Sequence, residues 1–122
     1  MSDVRIENCI VRDNHGGGIQ VFKRVSGVTI AGCTIERNGG AGIFVVGAKD
    51  GVIARNSIRD NGRVGVALRP QTSNFEVRDN RFANNETRRP GKARLVVSEG
   101  SGSAVRVANE TDSIRLIGNQ YQ

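Results

Sequence analysis

The residues of this 122-residue sequence with chemistry to offer are one histidine, two cysteines, one tyrosine and a surplus of arginine. His15 stands in Arg12-Asp13-Asn14-His15, just before Gly16-Gly17-Gly18. An Asp-x-His pair is a pattern that general-base chemistry uses, which makes His15 the one candidate catalytic residue. The competing reading, a polar residue on a surface loop, is the one preferred. Cys9 and Cys33 are too few for a disulfide framework. Two thiols without a nearby pair of histidines do not support a metal site, and no metal or cofactor is expected. The net charge is +6, from 18 basic residues, 15 of them Arg, against 12 acidic ones. Such a balance suits an acidic partner (a polyanionic glycan, a nucleic acid or an anionic surface), although arginine on a solvated face also serves solubility.

These residues must be held by something, and the apolar anchors say what. Ile6, Ile30, Ile53, Val77 and Leu116 open equivalent segments, and five residues later in each stand Val11, Ile35, Ile58, Phe82 and Tyr121. Three residues after the first anchor come Cys9, Cys33, Asn56, Asn80 and Asn119; eight after it come Asn14, Asn38, Asn61 and Asn85. Gly-apolar-x-apolar then recurs at Gly18, Gly42 and Gly65. The first anchors are spaced by 24, 23 and 24 residues. Self-similarity at such a period marks a stacked repeat protein. Within each repeat the apolar runs are short, β-branched and alternating, and Gly and Asn break them at fixed places. Each repeat is therefore expected to be three short strands joined by three turns, one coil of a solenoid in a single domain over 1–122. The coils fall near 4–27, 28–50, 51–74 and 75–113, with a loop insertion at 86–103 and a partial coil at 114–122. Residues 93–97 could form an extra strand within that insertion. An inward amide stacked on its equals bonds both neighbouring backbones. The row Asn56, Asn80 and Asn119, with Cys9 and Cys33 in the same ladder, is thus read as structural, as is the second asparagine row. Stacked cysteines can sit close enough to bridge, and buried free thiols are the preferred reading.

The pattern Ile53-Ala54-Arg55-Asn56-Ser57-Ile58-Arg59-Asp60-Asn61 followed by Gly65-Val66-Ala67-Leu68 resembles the short repeat of the right-handed parallel β-helix. Pectate lyases, alginate epimerases, phage tailspikes and related periplasmic carbohydrate-binding proteins share that architecture. The resemblance covers nearly the whole chain and is specific for fold, not for activity. It implies a substrate groove on the strand after the variable loop. The outward positions there are Gln20, Phe44, Ala67 and Arg106, then Phe22, Val46, Arg69 and Ala108, with Lys23, Arg24 and Lys49 in the following turn. Phe22 and Phe44 beside Lys23, Arg24, Lys49, Arg69 and Arg106 could stack on sugar rings and bind carboxylates or sulfates. Exposed aromatics equally mark a contact between subunits.

The acid, His and Tyr constellation of lyases and epimerases is not expected to assemble, because Tyr121 lies about four coils of 4.8 Å from His15. The calcium-binding aspartates of pectate lyases have no counterpart on the groove face, since Asp13, Asp60 and Asp79 fall elsewhere. Few aromatics are free for bases and no nucleic-acid motif is present, which argues against a nucleic acid. Asn85-Glu86-Thr87 and Asn109-Glu110-Thr111 match the glycosylation pattern, a weak one. No apolar run is long enough to span a membrane, and no secretion signal precedes the first repeat; the resemblance implies a secreted or periplasmic location. Family members usually begin with a capping helix, and none is visible here. The chain is therefore expected either to be an excerpt of a longer protein or to cover its ends by forming a homo-oligomer. Three functions stay open. One is a module of a carbohydrate-active protein that binds anionic polysaccharide without a complete catalytic set. The second is a structural, oligomerising module. The third is a lyase or epimerase completed by further sequence or by another subunit.

Overall fold

The computed structural model describes residues 2–85, 87, 104–108 and 111–121. Among these, every regular element is a strand. β1 (Ser2–Glu7), β2 (Ile10–Arg12) and β3 (Ile19–Val21) form the first coil. β4 (Ser26–Ala31), β5 (Thr34–Glu36) and β6 (Ile43–Val45) form the second. The third coil is β7 (Lys49–Ala54), β8 (Ser57–Arg59) and β9 (Val66–Leu68); the fourth is β10 (Ser73–Arg78), β11 (Arg81–Ala83) and β12 (Val105–Val107). β13 (Asp112–Ile117) and β14 (Gln120–Tyr121) open a fifth. Equivalent strands pair in parallel into three sheets: β1-β4-β7-β10-β13, β2-β5-β8-β11-β14 and β3-β6-β9-β12. This is the expected right-handed parallel β-helix.

The register stacks like on like. Ile6, Ile30, Ile53, Val77 and Leu116 are partners along the first sheet. Val11, Ile35, Ile58, Phe82 and Tyr121 are partners along the second. In the third, Ile19, Ile43, Val66 and Val105 stack, two places from Val21, Val45, Leu68 and Val107. These inward rows are the core, and each buried aliphatic side chain contributes roughly 1.5–3 kcal/mol. Burial is complete in the middle coils and partial at Ile6, Val11, Ile114, Leu116 and Tyr121. Residue size varies in compensation: Phe75 fills the interior because its partner in the coil below is Gly51, where a Cβ would stand 2.2 Å from the Phe75 ring.

The corners are made by left-handed backbone. Between the first and second sheets, Asn8, Gly32, Arg55, Asp79 and Gly118 all have positive φ. Between the second and third, Asp13, Arg37, Asp60 and Asn84 do. Each is followed at once by an inward residue of the two ladders. Asn56 Nδ2 donates to Ile30 O (3.0 Å) and to Asn80 Oδ1 (3.0 Å), while Asn56 Oδ1 accepts from Cys33 N (2.9 Å). Asn80 repeats the set with Ile53 O and Asn119 Oδ1. The second ladder runs Asn14, Asn38, Asn61, Asn85 through bonds of 2.8, 3.0 and 2.9 Å. Asn85 is buried and its Nδ2 donates to Ile58 O, so the first glycosylation pattern offers no accessible amide. The insertion at 86–103 lies outside the described residues except for Thr87, whose N–H donates to Asn61 O. The possible strand at 93–97 and the second glycosylation pattern, whose Asn109 is masked, lie outside them too.

Candidate functional site

The third sheet carries a cleft on its outer face. Its central outward row is Gln20, Phe44, Ala67 and Arg106, successive partners in β3, β6, β9 and β12. Ala67 is the short member between two long ones, and the gap above it becomes a depression. Phe44 packs on Ala41, Val64 and Ala67, which form an apolar floor. Gly17, Gln20, Gly40, Arg63, Arg69 and Arg106 complete the walls of a cleft of about 410 Å³.

The backbone that aims these side chains is tightly fixed. A Cβ on Gly42 would meet Gly65 O at 2.7 Å and Ile58 Cγ2 at 2.8 Å, and one on Gly18 would meet Gly42 O at 2.6 Å. The strand therefore enters the sheet pressed against both the coil above and the second sheet. Arg69 N donates to Val45 O (2.8 Å) and Arg63 N to Gly40 O (3.1 Å), so each arginine is anchored by its main chain to the coil that carries Phe44. Among the described residues no ion pair engages Arg63 or Arg69, and no carboxylate lines the cleft. Chemically this is an apolar platform bordered by guanidinium groups, which bind carboxylates and sulfates through paired N–H donors. Among the described residues the lining holds no imidazole, carboxyl or phenol to move a proton.

The residues named from the sequence separate into two groups. Phe44, Arg69 and Arg106 meet in the cleft. Phe22 lies beside it, 56% exposed, with its ring 6.4 Å from that of Phe44 and tilted by 55°. Lys23 and Arg24 are exposed at the turn toward the first sheet, Lys49 is exposed as the first residue of β7 rather than in the turn, and none of the three lines the cleft. The cause is register: Phe22 pairs in line with Val46 and Arg69, and the chain has turned away by the next residue. Arg63, Ala41 and Val64 were not singled out from the sequence. Arg63 occupies the place of Gly16 and Gly40 in the variable loop, where the repeat sets no residue type.

His15 is exposed and belongs elsewhere, to a polar depression of about 390 Å³ with Asp13, Arg37, Asp60 and Thr87. Arg37 Nε bonds Asp13 Oδ1 at 3.0 Å, and that bond and charge hold the Asp13 carboxyl below the usual range. A carboxylate so stabilised is a weak base. Tyr121 is at the far edge of the second sheet, stacked on Phe82 with centroids 5.7 Å apart. Asp13, His15 and Tyr121 are thus not brought together. Among the described residues there is no group of three metal-ligating side chains and no helix long and apolar enough to cross a membrane.

One buried charge escaped sequence reading. Glu36 is 4% exposed on the outer face of the second sheet, between its register partners Arg12 and Arg59. Its carboxylate meets Arg59 at 2.8 Å, Arg37 at 3.0 Å and Arg12 at 3.9 Å, joining three coils.

Comparison with known proteins agrees with this architecture. No curated protein sequence matches the chain. Among solved structures, the A-module of the mannuronan C-5 epimerase AlgE4 of Azotobacter vinelandii superposes with a TM-score of 0.69 at 20% identity. The match covers 99% of this chain and 35% of that module, so the chain spans about a third of it. The family model for the right handed beta helix region matches residues 1–121, and the chain belongs to that family.

Proposed function

We propose that this chain is a β-helix module of a carbohydrate-active protein that binds anionic polysaccharide in the cleft of the third sheet, without completing a catalytic set there. The observation that carries this reading is the pairing of an apolar floor under Phe44 with Arg63 and Arg69, with no carboxylate lining the cleft among the described residues. A sugar ring stacks on Phe44, and its carboxylates or sulfates meet the guanidinium groups. The likeness to a module of a mannuronan epimerase supports a uronate polymer as the first ligand to try. Phe22 extends the platform by one coil, and Lys23, Arg24 and Lys49 add long-range attraction without touching the ligand.

Titration calorimetry with alginate and polygalacturonate oligomers tests this. Arg63→Glu with Arg69→Glu should abolish measurable binding. Phe44→Ala should weaken it by about 1–2 kcal/mol, roughly 5- to 30-fold. Lys23→Glu should weaken it less than either arginine change and lose its effect at high salt. Equal binding by the double arginine variant would refute the assignment.

The exposure of Phe22 favours a second reading, a contact between copies of this chain. Light scattering separates the two: a dimer lost in Phe22→Ser, with no glycan binding by the native chain, would replace the first.

A further inference from the structure

We propose that Cys9 and Cys33 are a disulfide site that ties the first coil to the second. The two cysteines are equivalent positions of adjacent coils. Each lies two residues beyond a member of the register pair Glu7 and Ala31. Each thiol donates to the carbonyl of that member, Cys9 Sγ to Glu7 O at 3.3 Å and Cys33 Sγ to Ala31 O at 3.4 Å. The main chains stay in contact on the far side as well, where Thr34 N donates to Cys9 O at 2.9 Å. The side chains are therefore oriented alike and stand one rung of about 4.8 Å apart; that Cα separation is within the disulfide range of about 4.4–6.8 Å, and closing the bond requires the two Cβ atoms to approach to about 4.5 Å or less. Both are free thiols in this structure, Cys9 exposed and Cys33 buried.

The ladder itself gives the reason for a bond at this step. Asn80 reaches Asn119 Oδ1 through both its main-chain N–H and its Nδ2, and Asn56 reaches Asn80 Oδ1 in the same way. Cys33 still donates its N–H to Asn56 Oδ1. From Cys9 to Cys33 there is no amide oxygen to accept, and the ladder's side-chain link to the first coil is reduced to the long bond from Cys33 Sγ to Ile6 O at 3.6 Å. The first coil is also where the inward Ile6 and Val11 are only half-buried. A covalent bond there would replace the missing amide link.

The chemistry runs by thiol–disulfide exchange with a low-molecular-weight disulfide as oxidant. The exposed Cys9 thiolate attacks one sulfur of the oxidant, forming a mixed disulfide and releasing one thiolate. The Cys33 thiolate then attacks the Cys9 sulfur, closing the Cys9–Cys33 bond and releasing the second. Two protein thiols are oxidised, one external disulfide is reduced to two thiols, and the two protons leave with them. Burial pushes the Cys33 thiol up, so closure should quicken as pH rises.

The test is to incubate the whole chain with glutathione disulfide and follow it by intact mass and by peptide mapping without reduction. The expected product has lost two hydrogens and yields a linked peptide containing both cysteines. Its thermal midpoint should rise above that of the dithiothreitol-treated chain, and amide exchange in β1 and β2 should slow. Arrest at a Cys9 glutathione adduct with Cys33 unreacted, or dimers joined through Cys9, would overturn the proposal. A bridged chain with an unchanged midpoint and unchanged exchange would overturn the tie.

Discussion

Asparagine and glycine serve opposite needs at the corners of each coil. An inward asparagine supplies polar atoms where the turning backbone would leave its own unmatched, whereas a glycine supplies the absence of atoms where two coils and two sheets converge. Asn56→Ala would strand the Ile30 carbonyl and the Cys33 N–H, both satisfied by the Asn56 amide. Each unmatched buried group costs about 1–3 kcal/mol, so urea denaturation should report a loss of roughly 3 kcal/mol. Gly42→Ala acts by excess, driving a Cβ against the Gly65 carbonyl and Ile58, and should cost about 2–4 kcal/mol by the same measurement. Ala104→Gly, in the same row, removes a buried core methyl and adds backbone freedom, and should cost about 1–2 kcal/mol. Both rows were legible in the sequence because stacking repeats residue type as well as position. The unequal burial of Cys9 and Cys33 was not, since it depends on how many coils cover each one.

At the scale of elements, the inward faces of the strands repeat and the outward faces do not. Apolar anchors must match their neighbours across about 4.8 Å, so Ile6, Ile30 and Ile53 announce themselves. Phe44, Ala67 and Arg106 share a row yet have nothing in common, and a cleft arises because Ala67 is short. The strand bearing the cleft was therefore legible and the cleft's lining only in part: Arg63 sits in a loop that the repeat leaves unspecified. Arg12, Glu36 and Arg59 show the same limit, for the anchors align them but only the fold reveals a nearly buried carboxylate among three arginines. Glu36→Gln should destabilise by about 1–3 kcal/mol, below the value for breaking a fully buried pair because the arginines are half exposed. The neighbouring Asp13–Arg37 pair gives a pH dependence of known sign. Asp13 has a lowered folded pKa, so its contribution is present above the unfolded value of about 3.9 and is lost as pH falls through the folded one. The difference in urea midpoint between the native chain and Asp13→Asn should accordingly shrink as pH drops below about 3.9.

For the molecule as a whole, a stack in which each coil touches only its neighbours has a stability that varies along its axis. Second-, third- and fourth-coil anchors such as Ile35, Ile58 and Val77 are fully buried, while Ile6, Val11, Ile114, Leu116 and Tyr121 are partly covered. Amide exchange in this chain should be slowest in β5 and β8 and fastest in β1, β2 and β14. The cleft centres on the protected region, with Phe44 in the second coil, Arg63, Ala67 and Arg69 in the third and Arg106 in the fourth, and only its edge at Gly17 and Gln20 belongs to the first. A ligand bound there meets a wall already ordered, so little conformational entropy is lost on binding. Phe22 belongs to the looser first coil. Saturation with a uronate oligomer should then slow exchange in β6, β9 and β12 while leaving β1 and β2 unchanged. Protection spreading to the first coil would instead mean that Phe22 and its turn are the principal contact, and would move the site from the centre of the third sheet to its edge.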